Sequence, residues 1–186
     1  MAYIKVINYE ESSGELKGIY DHLIATRGKL ADVHMIQSLN PASVLSHMNL
    51  YKDIMFGHSP LKRYQREMIS VVVSVANQCE YCIKHHKEAL MHYWKSESRV
   101  EALIQQKEDP QLSSEDNALC AYAREITMQP ELSTKQKTDT LREAGLDDRA
   151  ILDATLVISY FNFVNRMVLA LGLEINQAEI SGYKYE

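Results

Sequence analysis

Turn-forming residues are scarce in this chain of 186 residues, which has seven glycines and four prolines, placed between apolar stretches. That scarcity excludes a collagen-like repeat and points to helices. Cysteine is scarcer still. Three unevenly spaced cysteines are too few for the disulfide framework of a small secreted domain. Positive charge is not in excess either: 20 Lys and Arg face 25 Asp and Glu, for a net charge of -5, with a pI near 5.8. There is no electrostatic case for binding nucleic acid or an anionic membrane. Also missing is an unbroken apolar run of about 20 residues, the length a membrane helix needs. The most apolar long stretch, residues 151–173, is interrupted by Asp153, Asn162, Asn165 and Arg166 and reads as a buried core helix. The first ten residues lack the basic start and apolar run of a signal peptide. The expectation is a soluble, cytoplasmic protein. At 46% hydrophobic and 24% charged residues, the chain has the balance of an ordinary globular protein, of a length that suits one domain over 1–186.

What is present is helical punctuation. Asn40-Pro41 can open a helix that runs to Phe56 and stops at Gly57, since proline at the first helical position loses only an N–H that had no partner. Ser59-Pro60 repeats the device ahead of Met68, Val72 and Val75. Leu16, Ile19, Tyr20 and Leu23 sit at helical spacing between Ser13 and Arg27 and are closed by Gly28. Ser98 to about Lys107 makes a short helix. Ser113 caps a helix that ends at Pro130, Ser133 one that ends at Gly145, and Asp147 the long one that ends at Gly172. No long stretch alternates apolar and polar residues, and no Asn-Gly or Asp-Gly hairpin signal occurs. The fold class is all-α, a bundle of about eight helices. A faint echo, an acid opening an apolar helix at Glu67 and again at Asp153, is weak evidence for a duplicated unit.

The densest cluster of reactive residues is Asn77-Gln-Cys79-Glu-Tyr81-Cys82-Ile-Lys-His85-His86. On a helix, Cys79, Cys82 and His86 follow an i, i+3, i+7 pattern and share one face. The two cysteines can close a disulfide with little backbone movement, and His86 can accept a thiol proton one turn beyond Cys82. A neighbouring imidazole or a helix N-terminus lowers a thiol pKa to about 3.5–7.5, and Asn77 can cap the helix start. From spacing alone either cysteine can be the nucleophile: a helix start favours Cys79, the imidazole at i+4 favours Cys82. Cys120, among Ala118, Leu119, Ala121 and Tyr122, reads as a core residue. His22, His34, His47, His58 and His92 have no reactive neighbour in sequence and read as surface or core. Cys79, Cys82, His86 and His92 do not suit zinc, because a tetrahedral site needs a loop between its ligand pairs.

Glu67, twelve residues before Cys79, then C-x-x-C, then His86 four residues after Cys82, resembles the alkylhydroperoxidase D-like branch of the carboxymuconolactone decarboxylase superfamily, in its peroxidase-related subgroup. Asn40-Pro41, Leu61, residues 141–146 and residues 161–166 extend the likeness over about 14–175, leaving 176–186 as a tail. The resemblance implies that Cys82 attacks a hydroperoxide and becomes a sulfenic acid, that Cys79 resolves it as a disulfide, and that Glu67 and His86 relay the proton. It implies no metal or other cofactor, a dithiol or thioredoxin-like electron donor, and a homo-oligomer (dimer, trimer or hexamer), to which Tyr183 and Tyr185 of the tail can add contacts. Tyr81 departs from the family's best-known member, which has a histidine between the cysteines. Two rivals stand beside the peroxidase: a lyase, whose relatives need no cysteine, and a redox sensor using the same pair. Asn162, Asn165 and Arg166 are expected in an interhelical or subunit network, or else lining the peroxide pocket.

Overall fold

A computed structural model describes residues 2–132 and 134–176. Among these residues there are nine α-helices and no strand: α1 Gly14–Arg27, α2 Asp32–Met35, α3 Pro41–Phe56, α4 Arg63–Ala76, α5 Glu80–Trp94, α6 Glu97–Ile104, α7 Ser114–Met128, α8 Lys135–Glu143 and α9 Asp148–Leu171. The helix beyond the expected eight is α2, a single turn too short to show periodicity.

Caps set most boundaries where the sequence places them. Asn40, Ser113 and Asp147 each accept a hydrogen bond from the backbone N–H three residues on, filling donors that a helix start leaves unpaired. Gly28 and Gly172 close α1 and α9 in the left-handed conformation, which costs glycine little. Three starts differ from expectation. Ser59-Pro60 does not open α4; Ser59 Oγ accepts the Leu61 N–H, and the helix begins three residues later at Arg63, where Gln65 Oε1 caps the Lys62 N–H. Ser96, not Ser98, precedes α6. Thr134 precedes α8, while the predicted cap Ser133 lies outside the described residues, as do Tyr183 and Tyr185.

Helix α4 is the centre. It packs against α5, α7 and α9, and Met68, Ile69, Val71 and Val73 on it are fully buried. By length and composition α9 is apolar enough to span a membrane. Instead it inserts Ala154, Val157, Ile158, Phe161 and Val164 into the same core, as its interrupting polar residues imply. Arg66 fastens the α3–α4 connection to this centre by donating to the carbonyls of Met55 at 2.8 Å, Gly57 at 2.9 Å and Leu61 at 3.2 Å. That brings the end of α3 over the first turn of α4. The echo between the two central helices extends to an ion pair: Arg63–Glu67 on α4 and Arg149–Asp153 on α9 are both four residues apart.

The α4–α5 turn places the cysteines. Gln78 takes a left-handed φ of 56°, its N–H bonds the carbonyl of Val75 at 3.0 Å, and the Cys79 N–H bonds that of Ser74 at 2.9 Å. This is a Schellman turn, in which paired bonds satisfy the last carbonyls of a helix. Cys79 is thereby both the last anchored residue of α4's cap and the N-cap of α5. Asn77, expected to cap α5, instead caps the end of α4.

Candidate active site

Glu67 is 1% exposed. A buried carboxylate is costly unless paired, and Glu67 is paired at both oxygens: Oε1 lies 2.6 Å from Arg63 Nη2, and Oε2 lies 2.6 Å from His86 Nδ1. Burial pushes its pKa up; the charges and hydrogen bonds of His86 and Arg63 more than reverse this and hold it below the usual carboxylate range. The structure thus brings Glu67 on α4 and His86 on α5 into direct contact through Nδ1 of the imidazole. Arg63 was missed from sequence, although its spacing four residues before Glu67 was a readable signal. Its guanidinium also lies 4.3 Å from the Phe56 ring centroid.

Cys79 and Cys82 are free thiols, both buried, with their sulfurs 2.9 Å apart. At that distance the two thiols hydrogen-bond and titrate as a pair. The hydrogen bond between the two sulfurs holds the Cys79 thiol below its ordinary range, despite burial. The same bond, burial and the neighbouring charge push Cys82 well above it. Of the two sulfurs Cys79, at the positive end of α5, is the one that ionises more easily. The i, i+4 spacing of His86 favours Cys82, but the bond between the sulfurs and burial set this order instead.

Cys82 nevertheless is the sulfur that faces open space. It lines a cavity of about 100 Å³ together with Glu67, His86 and Arg63, and Cys79 does not line it. The cavity is closer in size to the ~150 Å³ that takes a single ring than to the ~300–1,000 Å³ of a drug-sized pocket. Tyr51, Phe56, Tyr81, Tyr160 and Phe161 give it aromatic walls. Tyr81, in place of histidine between the cysteines, packs at a tilt of 47° against His85 with ring centroids 4.4 Å apart.

His34 and His47 enter the same cavity wall from α2 and α3, an assembly only tertiary packing reveals. Burial, then His47 and Arg27, lowers the His34 pKa to about 3. Burial lowers His47 to about 4, and burial with His86 and Lys29 lowers His85 to about 4. His22, His58 and His92 are exposed. Cys120 is buried away from the cavity, its thiol pushed up by burial to about 12, which leaves it inert.

The polar residues of α9 lie behind the cysteines and do not line the cavity. Asn77 Nδ2 donates to Asn162 Oδ1 and Asn165 Oδ1, each at 3.1 Å, and Asn165 Nδ2 donates to Ser74 Oγ at 3.3 Å. Asn162 also donates to Thr127 Oγ1 at 3.0 Å, and Arg166 donates to the Asn162 carbonyl at 3.1 Å. This interhelical network pins the turn that carries Cys79. Asn165 also hydrogen-bonds Cys82 in the direction that favours its thiolate.

An all-helical fold with a close C-x-x-C pair at a helix start and a buried Glu–His contact beside it defines a thiol-bearing helical class. Residues 43–125, which contain all four groups, match the Carboxymuconolactone decarboxylase family. Among solved structures, a peroxidase-related protein from Silicibacter sp. TM1040 is 26% identical with a TM-score of 0.79, over 89% of this chain and 87% of that one. A peroxidase-related protein from Ralstonia eutropha JMP134, described as an alkylhydroperoxidase AhpD core, shares the fold at a TM-score of 0.82 and 20% identity, over 96% and 94% of the two chains. The debrominase Bmp8, as a Cys-to-Ala variant in complex with 2,3,4-tribromopyrrole, shares it at 0.79 and 17%, over 96% of each. The chain thus shares its fold with these proteins, and the family match lies over the helices that carry Glu67, Cys79, Cys82 and His86.

Two predictions follow from the titrations. Thiolate absorbance against pH should show one thiolate forming below the ordinary thiol range and a second only well above it. Cys82→Ala removes the sulfur partner of Cys79 but not the burial, so its remaining low step should move upward; an unmoved step would contradict the coupling of the two thiols. Secondly, folding should weaken as pH falls from about 6.5 towards about 4. In that window the unfolded chain binds protons at His34, His47 and His85 that the folded chain refuses. Urea unfolding at a series of pH values reads this, and a flat profile would mean the imidazoles are protonated in place.

Proposed function

We propose that the protein is a thiol-dependent peroxidase that reduces hydroperoxides through Cys82 and Cys79, with Glu67 and His86 as its proton relay. One observation carries the reading: Cys82 faces the cavity with the Glu67–His86 pair on the same wall, and a second sulfur waits 2.9 Å away. The proton on Cys82 has two exits, across to Cys79 or through water to His86, whose imidazolium Glu67 then stabilises. The Cys82 thiolate attacks the terminal peroxide oxygen; the S–O bond forms, the O–O bond breaks and an alcohol leaves. Cys79 then attacks the Cys82 sulfur, forming the disulfide and releasing the oxygen as water. A dithiol or thioredoxin-like donor returns both thiols.

The aromatic walls favour one second reading, in which the same pair supplies electrons to a halogenated aromatic ring and halide leaves. It draws on the fold shared with a debrominase, and bromide release from a brominated pyrrole tests it.

With cumene hydroperoxide and a dithiol, Cys82→Ser should consume no peroxide, and Cys79→Ser should complete one turnover and stop. Glu67→Gln should keep the fold and slow peroxide consumption by about 10²–10⁴-fold near neutral pH, the usual contribution of acid–base assistance. That loss should shrink as pH rises and the thiol ionises unaided. Sulfenic acid trapped on Cys79 in an active Cys82→Ser protein would reverse the two roles.

A further inference from the structure

A hydrogen-bond chain at the cavity lining restricts where one proton can point. Gln37 Nε2 donates to the Val33 carbonyl at 2.9 Å and lies 2.7 Å from His47 Nδ1. An amide nitrogen only donates, so His47 Nδ1 is the acceptor. Burial keeps this imidazole neutral at ordinary pH, so its single proton is on Nε2. His47 Nε2 lies 2.5 Å from the Tyr160 hydroxyl, and it is the donor there. The phenolic oxygen accepts, and the phenol's own proton cannot point at His47. No other hydrogen bond of Tyr160 exists among the described residues, and its ring lines the cavity that Cys82 lines.

We infer that Tyr160 is the acid of this site, giving its hydroxyl proton to the oxygen that leaves when Cys82 attacks a hydroperoxide. This rests on the peroxidase reading. The Cys82 thiolate forms a bond to the terminal oxygen of R–O–O–H, the O–O pair departs on R–O⁻, and R–O⁻ takes the Tyr160 proton to leave as the alcohol. Tyr160 is left as a phenolate held by the His47 Nε2–H and regains its proton from water. An ordinary phenol, with a pKa of ~10, can protonate a leaving oxygen of hydroxide-like basicity ~15.7, and burial narrows that gap for Tyr160. Burial, then Tyr51 and Cys82, raises the Tyr160 pKa, which keeps the proton in place until such a base appears. Gln37 and His47 are positioning residues, since they act only through Tyr160. The substrate class this wall fits is a small organic hydroperoxide with a poor leaving group.

The test is a leaving-group series for sulfenic acid formation in single turnover. Wild type should react with tert-butyl hydroperoxide and with peracetic acid. Tyr160→Phe should lose about 10²-fold or more with the alkyl hydroperoxide, little with the peracid, whose carboxylate leaves unaided, and nothing in alkylation by iodoacetamide. Gln37→Leu frees the His47 tautomer and should show the same pattern with a smaller loss, which covers a Tyr160→Phe protein that folds poorly. Equal losses with both oxidants, or no loss, overturn the role of Tyr160 and leave the peroxidase reading standing. A wild type inert to both oxidants overturns that reading, and this role with it.

Discussion

Glu67 is the constraint on which the site depends. A carboxylate in the middle of a buried apolar helix is tolerated only with partners at both oxygens, because an unpaired buried charge is strongly destabilising. Arg63 and His86 are those partners. Meeting that need fixes the rotation of α4 against α5 and the orientation of the His86 ring. It also sets which imidazole nitrogen is left for chemistry. Second groups of this kind fix tautomer and basicity rather than react.

A separate device holds the sulfurs. The Schellman turn after α4 pins the Cys79 backbone, and the Asn77–Asn165–Ser74 bonds pin the turn from α9. Cys79 is thus set at the positive end of α5, where charge rests easily, and Cys82 one turn in, where it meets the cavity. The more acidic thiol and the one that meets the cavity are thus different sulfurs. The short 2.9 Å separation of the sulfurs couples the ionisation of one to that of the other.

Much of this was legible in the sequence because it is local. Glycine and proline scarcity, the caps at Asn40, Ser113 and Asp147, and the apolar spacing give the helices. The fixed intervals from Glu67 to Cys79, Cys82 and His86 single out residues that the fold does bring together. Reading failed where a choice between local signals is made by packing. Ser59-Pro60 looks like a helix start, but the α3–α4 connection must first reach the Arg66 guanidinium. Asn77 looks like a cap for α5, but its amide is drawn to α9. His34, His47 and Tyr160 could not be placed at the site at all. His47 and Tyr160 are 113 residues apart in sequence, and nothing in either neighbourhood marks them.

The central claim is that the two sulfurs act in sequence on one oxygen, Cys82 first. Mass spectrometry of the protein after one equivalent of hydroperoxide tests it most directly. The wild type should lose two hydrogens, in a peptide holding a Cys79–Cys82 disulfide, and Cys79→Ser should gain one oxygen on Cys82. An unchanged wild-type mass, or oxygen carried by Cys120 with the pair intact, would contradict it.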